Sequence, residues 1–507
     1  MKIINAIRGA INLREMYKNK NQWARKIGFG FGPEDEIPTN IDVWNTKQIN
    51  DEFSLIGLNK IGLWPDEYNF SIKQRFERLH KFKTIKEKVE EESIGRQEKN
   101  ARLRISKNEN AVHMYDTYKL WNSAIYGNDM FKQRLLHFWT NHFTVGGSNN
   151  FRNYVIGDLI YNVIYKNLNG SFDDLLYLVT THPGMLDYLD NTHSSGENSK
   201  FAKYLRKRGQ TAGLNDNLAR ELLELHTVSP ARKYSETDIR NTAKVLAGWG
   251  LIVSDFVQEF NEKKEYREIS RNITLEKFVL APYLKNKAEP GKKVIMGKSF
   301  PAGPKALRKL TNMLAQDDFT AQHLSKKLAI HFIGENASKG EIKVIYDTWK
   351  ESKGDLTEVH RATLNVARTT KTRKFLWPST WMFQSIRVSG ARFIKESKSD
   401  GGFGSIKDDG RPDFEPLGIL QEIGHNFWAS RQPDGYSEKK LDWVSTEHFD
   451  RRIRIASRIF RAEPSRSGEE IADLLDFSDR TKLAISKGRN SEEKFIIALC
   501  SSDLMEI

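Results

Sequence analysis

Apolar residues recur at three- and four-residue steps along most of the chain, whereas strictly alternating runs are few and short. The first period marks one face of an α-helix and the second a half-buried strand. The chain therefore reads as mainly α, a large multi-helix domain with long surface loops and few short strands. The clearest helix start is Tyr234-Ser235-Glu236-Thr237-Asp238-Ile239. Ser235 is placed to accept the amide three residues on, Asp238 to reach back, and Tyr234 to pack on Ile239. That helix is expected to end near Gly248. At the N-terminus Ile3, Ile4, Ile7 and Ile11 share a helical face, which predicts a short amphipathic helix packed on the body.

Three stretches read as irregular surface excursions: 192–213, 283–304 and 396–416. The first is rich in Ser, Gly and Lys, the second in Pro and Gly, and the third in Gly, Asp and Lys. Cuts near residues 115 and 370 would separate a charged helical region (1–115), a central helical core (116–370) and a C-terminal helical part (371–507). A single domain over the whole length is the other reading. No internal repeat with a solenoid period is found.

Composition narrows the classes. The chain has 507 residues, 11 Trp, 14 Pro and a net charge of +14. One cysteine, Cys500, rules out an intrachain disulfide, a Cys-based zinc knuckle and a Cys-X-X-Cys redox site. No stretch has the roughly 18–20 uncharged apolar residues of a membrane span. The positive excess is diffuse: residues 1–110 hold 21 Lys/Arg and 16 Asp/Glu, and even 73–109 interleaves Lys with Glu87, Glu90, Glu91 and Glu92. That pattern suits a solvated helix face, not a phosphate-tracking groove, so nucleic acid is not the expected partner. No export signal is evident, which gives a cytoplasmic expectation.

Three segments carry polar groups inside apolar frames. In Leu135-Leu136-His137-Phe138-Trp139-Thr140-Asn141-His142-Phe143, His137 and Asn141 share one helical face and Phe138 and His142 the next. Burying such groups costs free energy unless each finds a partner. In Asn215 to Thr227, Leu218, Leu222 and Leu225 form an apolar stripe, while Asn217, Glu221 and Glu224 line one flank. Two carboxylates one turn apart can hold a divalent cation, or divide into acid and base where their environments differ. Arg220, four residues before Glu224, offers the plain alternative of a wet intrahelical ion pair. His226 cannot share a ligand with Glu224 unless the helix has already ended. In Thr181 to Asn191, Asp190-Asn191 reads first as a cap or turn. No Walker A loop or GxSxG elbow is present, and Gly28-Phe29-Gly30-Phe31-Gly32-Pro33 lacks the spacing of a dinucleotide loop.

At these segments the chain resembles a bacterial family known as domain of unknown function 1800. Ala24-Arg25-Lys26-Ile27-Gly28-Phe29-Gly30 is similar to its N-terminal glycine block, and Phe138-Trp139-Thr140-Asn141-His142-Phe143 to its Phe-Trp-x-Asn-His-Phe core. His182-Pro183 through Asn191, Asn217 through Thr227, and Tyr234 to Trp249 follow in order. His323 through Ala329, Gly424 through Trp428 and Pro433-Asp434-Gly435-Tyr436 complete the likeness, which spans nearly the whole chain. Thr140 stands where many relatives carry His. The resemblance supplies no reaction; it implies a shortlist of Asn141, His142, Asp190, Asn191, Asn217, Arg220, Glu221 and Glu224. Many relatives look exported, against the cytoplasmic expectation, and are often paired with a sulfatase-like companion.

Two functions follow. One is a hydrolase or group-transfer enzyme, with His142 as base or ligand, Glu221 or Glu224 as its carboxylate partner, and Arg220 acting on an anionic or carbonyl-bearing substrate. Asn141, Asp190, Asn191 and Asn217 would bind that substrate, and a divalent metal is the cofactor such a set could take. The other is a non-catalytic helical binding or assembly protein for a polysaccharide or protein partner. Exposed Trp377, Trp381, Trp428 and Trp443 would favour it.

Overall fold

The computed structural model describes residues 20–50, 69–110, 112–146, 150–251, 283–391, 416–426, 430 and 432–507. The chain is mainly α, 65% helical. Among the described residues the one sheet is a hairpin of Lys293–Ile295 and Lys298–Phe300, with Ile295 opposite Lys298. Met296 and Gly297 between them both take positive φ (46° and 76°), the backbone a two-residue hairpin turn requires.

The fold is organised around the helix Met130–His142, all thirteen residues of which are buried. A helix enclosed on every side must satisfy its polar side chains from its neighbours, because water cannot. Arg134 donates to the Gly28 carbonyl at 3.2 Å, Trp139 Nε1 to His360 Nε2 at 3.0 Å, and Gln133 to Asp129 at 2.9 Å. The Lys132 ammonium lies over the Tyr165 ring, 4.1 Å from its centroid. The two helical faces expected for His137/Asn141 and Phe138/His142 are thus both interior. A continuous core of buried apolar side chains runs from Ala24 to Met505 around this helix. A smaller cluster of Phe70, Leu79, Val112 and Tyr154 lies apart from it.

The glycine block packs directly on the central helix. A Cβ at Gly28 would come within 2.4 Å of the Met130 Cβ, so this glycine allows two backbones to approach. Phe29 and Phe31 are buried beside it.

Ser235 caps the helix Glu236–Leu246 through the Asp238 amide, and Asp238 returns a bond to the Ser235 amide. Ile239 is buried and Tyr234 packs on the same core. Two of the stretches read as irregular hold regular structure: 192–213 contains the helix Lys200–Arg206, capped by Ser199, and 283–304 contains the hairpin. A short cap signal and a three-residue strand are too brief to stand out against Ser-, Gly- and Pro-rich sequence. The amphipathic segment at residues 3–11 and the 396–415 part of the third stretch lie outside the described residues. Among the described residues no helix is long and apolar enough to cross a membrane.

His137, His142, His226, His331, His360 and His425 are all buried, and burial is the first cause holding each below its ordinary pKa of 6.5. Each stays neutral in the folded protein where the unfolded chain takes up a proton. Their contribution is complete above pH 6.5 and is lost as pH falls toward the folded values. We expect urea stability to fall from pH 7 to 5, with a slope of up to about 1.4 kcal/mol per pH unit for each such histidine. A flat profile over that range would show that these rings titrate as freely folded as unfolded.

Candidate functional site

The C-terminal end of the central helix meets three other segments: the helix Asn217–Glu224 with the turn after it, the helix Asp318–Phe332, and residues 432–438. His142 lies at this junction. Its Nδ1 is 3.0 Å from Lys327 Nζ and its Nε2 is 3.3 Å from the His226 carbonyl oxygen. A carbonyl only accepts, so Nε2 carries the proton and the Nδ1 lone pair receives an N–H of Lys327. The His226 and His323 rings lie 6.0 and 6.5 Å from that of His142. His323 Nε2 is bonded in the same way to the Leu225 carbonyl at 3.3 Å.

The helix of Glu221 and Glu224 ends at Glu224, which lets the chain turn His226 inward. Thr227 fixes that turn by donating to the Leu222 carbonyl at 2.6 Å.

Electrostatics single out the lysine. Burial pulls Lys327 down to about 8, against Glu438 and Asp434, which hold it up. Burial and then the nearby Lys327 charge lower His142 well below 6.5, and His226 to about 3. Burial and Lys327 likewise take His323 to about 4, against its bond to Leu225. One ammonium therefore sits among neutral imidazoles, and Lys327 makes no ion pair with a described residue.

The carboxylates form a second group. Glu221 is half-buried and its pKa is raised, first by burial and then by Glu224 and Asp434, with Arg220 opposing. Tyr188 and Tyr234 border it; both are raised, Tyr188 by burial with Glu221 and Asp434 adding, Tyr234 by burial with Glu224 adding. Arg220 lies on the wet side, 3.2 Å from Glu236 and 3.6 Å from both Glu224 and Asp216. No hydrogen bond or ion pair joins His142 to Glu221 or Glu224. Among the described residues no three His, Cys, Asp or Glu side chains converge to hold a metal ion.

The shortlisted amides make a framework. Asn141 pairs with the backbone of Tyr436 in both directions, accepting its amide at 2.7 Å and donating to its carbonyl at 3.0 Å. Gly435 (φ 78°) allows this, since a Cβ there would come within 2.5 Å of the Asn141 carbonyl oxygen. Asn191 donates to the carbonyls of Leu246 and Trp249 at the end of the Ser235-capped helix. Asp190 takes the left-handed turn conformation (φ 55°) and receives Asn217 at 3.5 Å. Asn217 and Asp190 are exposed.

A family model described as "Protein of unknown function (DUF1800)" matches residues 22–499. The chain belongs to this family. No curated protein and no solved structure matches it.

Lys327, Asp434 and Glu438 are absent from the shortlist, although the family-like blocks contain the first two. A signal was available. His323, Lys327 and His331 follow at four-residue steps and so line one flank of a helix. His331 Nδ1 lies 2.7 Å from Glu438, whose other oxygen binds the buried Lys374 at 2.5 Å. Burial alone would raise the Glu438 carboxyl, but Lys374 and His331 hold it well below the usual range. This triad fixes the 432–438 segment beside Lys327.

A carboxyl whose pKa is raised on folding favours the folded state below its ordinary value of 4.5, and that contribution is lost as pH rises through the folded value. Glu221→Gln should therefore raise Tm at pH 7, on the order of 1 °C, and give no gain at pH 4. A lower Tm at pH 7, read by differential scanning fluorimetry, would make Glu221 a structural partner instead.

Proposed function

We propose that this chain is a hydrolase or group-transfer enzyme whose proton chemistry is carried by Lys327 and His142. The observation that supports it is the 3.0 Å contact between a lysine near pKa 8 and a neutral imidazole whose tautomer is fixed from behind. A lysine tuned this close to neutrality suits general acid–base work, and perturbed groups concentrate at functional sites. Glu221, its carboxyl pKa raised by burial and by Glu224 and Asp434, is the proton donor of this reading. Asn141, Asn191 and Tyr436 act as frame, and Arg220 as a surface charge.

The competing reading, a binding or assembly protein, relies on an aromatic platform. Trp377, Trp381 and Trp443 are buried, at 2%, 0% and 5% exposure, and Trp428 lies outside the described residues.

The test is turnover on a panel of chromogenic esters, amides, phosphates and glycosides, together with a fluorogenic β-hydroxy ketone supplied with an aldehyde acceptor, for the wild type, Lys327→Met and Glu221→Gln. We expect one class to turn over and both variants to lose at least 100-fold, with circular dichroism unchanged. Turnover untouched in both variants, or a wild type inert on every class, would overturn the reading.

A further inference from the structure

Resting on that reading, we propose that Lys327 is a nucleophile as well as a proton carrier, and that the substrate is an aldehyde or ketone captured on its amine as an imine. Three observations lead there. The first is that the hydroxyls at the junction and the thiol, among the described residues, are engaged or buried. The Thr227 and Thr144 hydroxyls are bound to the carbonyls of Leu222 and Asn141 at 2.6 and 2.7 Å. Cys500 is buried against the Arg452 side of the molecule, and the hydroxyl that does face a histidine, Ser379 at 2.7 Å from His425 Nδ1, is fully buried. The Lys327 amine is a nucleophile in direct contact with His142.

The second observation is the state of that amine. A lysine normally holds its proton because a carboxylate or water stabilises the ammonium. Here its direct side-chain partner is an unprotonated imidazole nitrogen, and two further neutral imidazoles stand near. Withdrawing the ammonium from ion pairs and partly from water is the way enzymes ready lysines for carbonyl attack. The third is access: Lys327 and His323 keep partial exposure while His142 and His226 are buried, so the approach runs from the lysine side.

The chemistry balances without a further reactant. Lys327 passes a proton to His142 Nδ1, and the freed lone pair forms the N–C bond as the carbonyl π pair moves to oxygen. His142 returns the proton to that oxygen, then takes one from nitrogen and gives it to the departing hydroxyl. The ammonium and the carbonyl become a protonated imine and one water, and His142 ends as it began. No electrons are gained or lost.

The experiment is trapping with glycolaldehyde and sodium cyanoborohydride on the full chain, between pH 6 and 10, with peptide mapping of every lysine. Lys327 should be alkylated at pH 7 at least tenfold faster than the median lysine, with a midpoint near pH 8. Lys327→Arg should lose that adduct alone. His142→Gln should slow trapping severalfold with the midpoint unmoved, an effect that a merely structural histidine would not produce. Lys327 labelled no faster than surface lysines would overturn the inference. If Lys327→Met still abolishes turnover on the panel in that case, the lysine carries protons only, and the enzyme reading stands without the imine.

Discussion

Everything in this fold depends on burying the helix Met130–His142 on all sides. Its cost is electrostatic and steric. Gln133, Arg134, Asn141 and His142 are all buried, and each must be met by a group held at a fixed distance. The partners come from Asp129, Gly28, Tyr436, Lys327 and the turn at His226. The helix therefore aligns segments hundreds of residues apart, and its satisfaction requires that all of them be in place. Such a network gives one arrangement a clear advantage over its competitors, since a half-met set of buried polar groups is worse than none.

That constraint makes the candidate site possible. His142 is fixed because its helix is fixed, and the His226 carbonyl then selects its tautomer. Lys327 is brought against it by a second helix whose His331 is tied through Glu438 to Lys374. The same acidic side chain supports Lys327 electrostatically without pairing with it. The lysine thus keeps enough stabilisation to stay in place and too little to hold its proton firmly. Glu224 and Asp434 both raise the pKa of the half-buried Glu221 nearby.

The helical class and the Ser235 cap were legible because both depend on local spacing. His142 was also legible, as a polar residue in an apolar frame, but its partner was not. The sequence pattern suggested Glu221 or Glu224 as that partner; a lysine 185 residues away fills the role, and only tertiary packing selects between them. Asn141 and Asn191 belong to the family-like blocks, and the structure bonds each to distant backbone, a feature that no motif encodes. Arg220 shows the reverse. The plain alternative of a wet ion pair with Glu224 was readable from four-residue spacing, and the structure adds Glu236 to it. The flank His323, Lys327, His331 was visible throughout, but a charged residue at helical spacing draws no notice until something neutral is found opposite it.

The central claim, a lysine held by a neutral histidine of fixed tautomer, can be read directly by ¹⁵N NMR of histidine-labelled protein from pH 6 to 9. His142 should stay neutral throughout, with Nε2 protonated and Nδ1 unprotonated. Its Nδ1 shift should move once, near pH 8, as Lys327 loses its proton, and that step should vanish in Lys327→Met. A His142 protonated at pH 7, or protonated at Nδ1 in place of Nε2, would contradict the account.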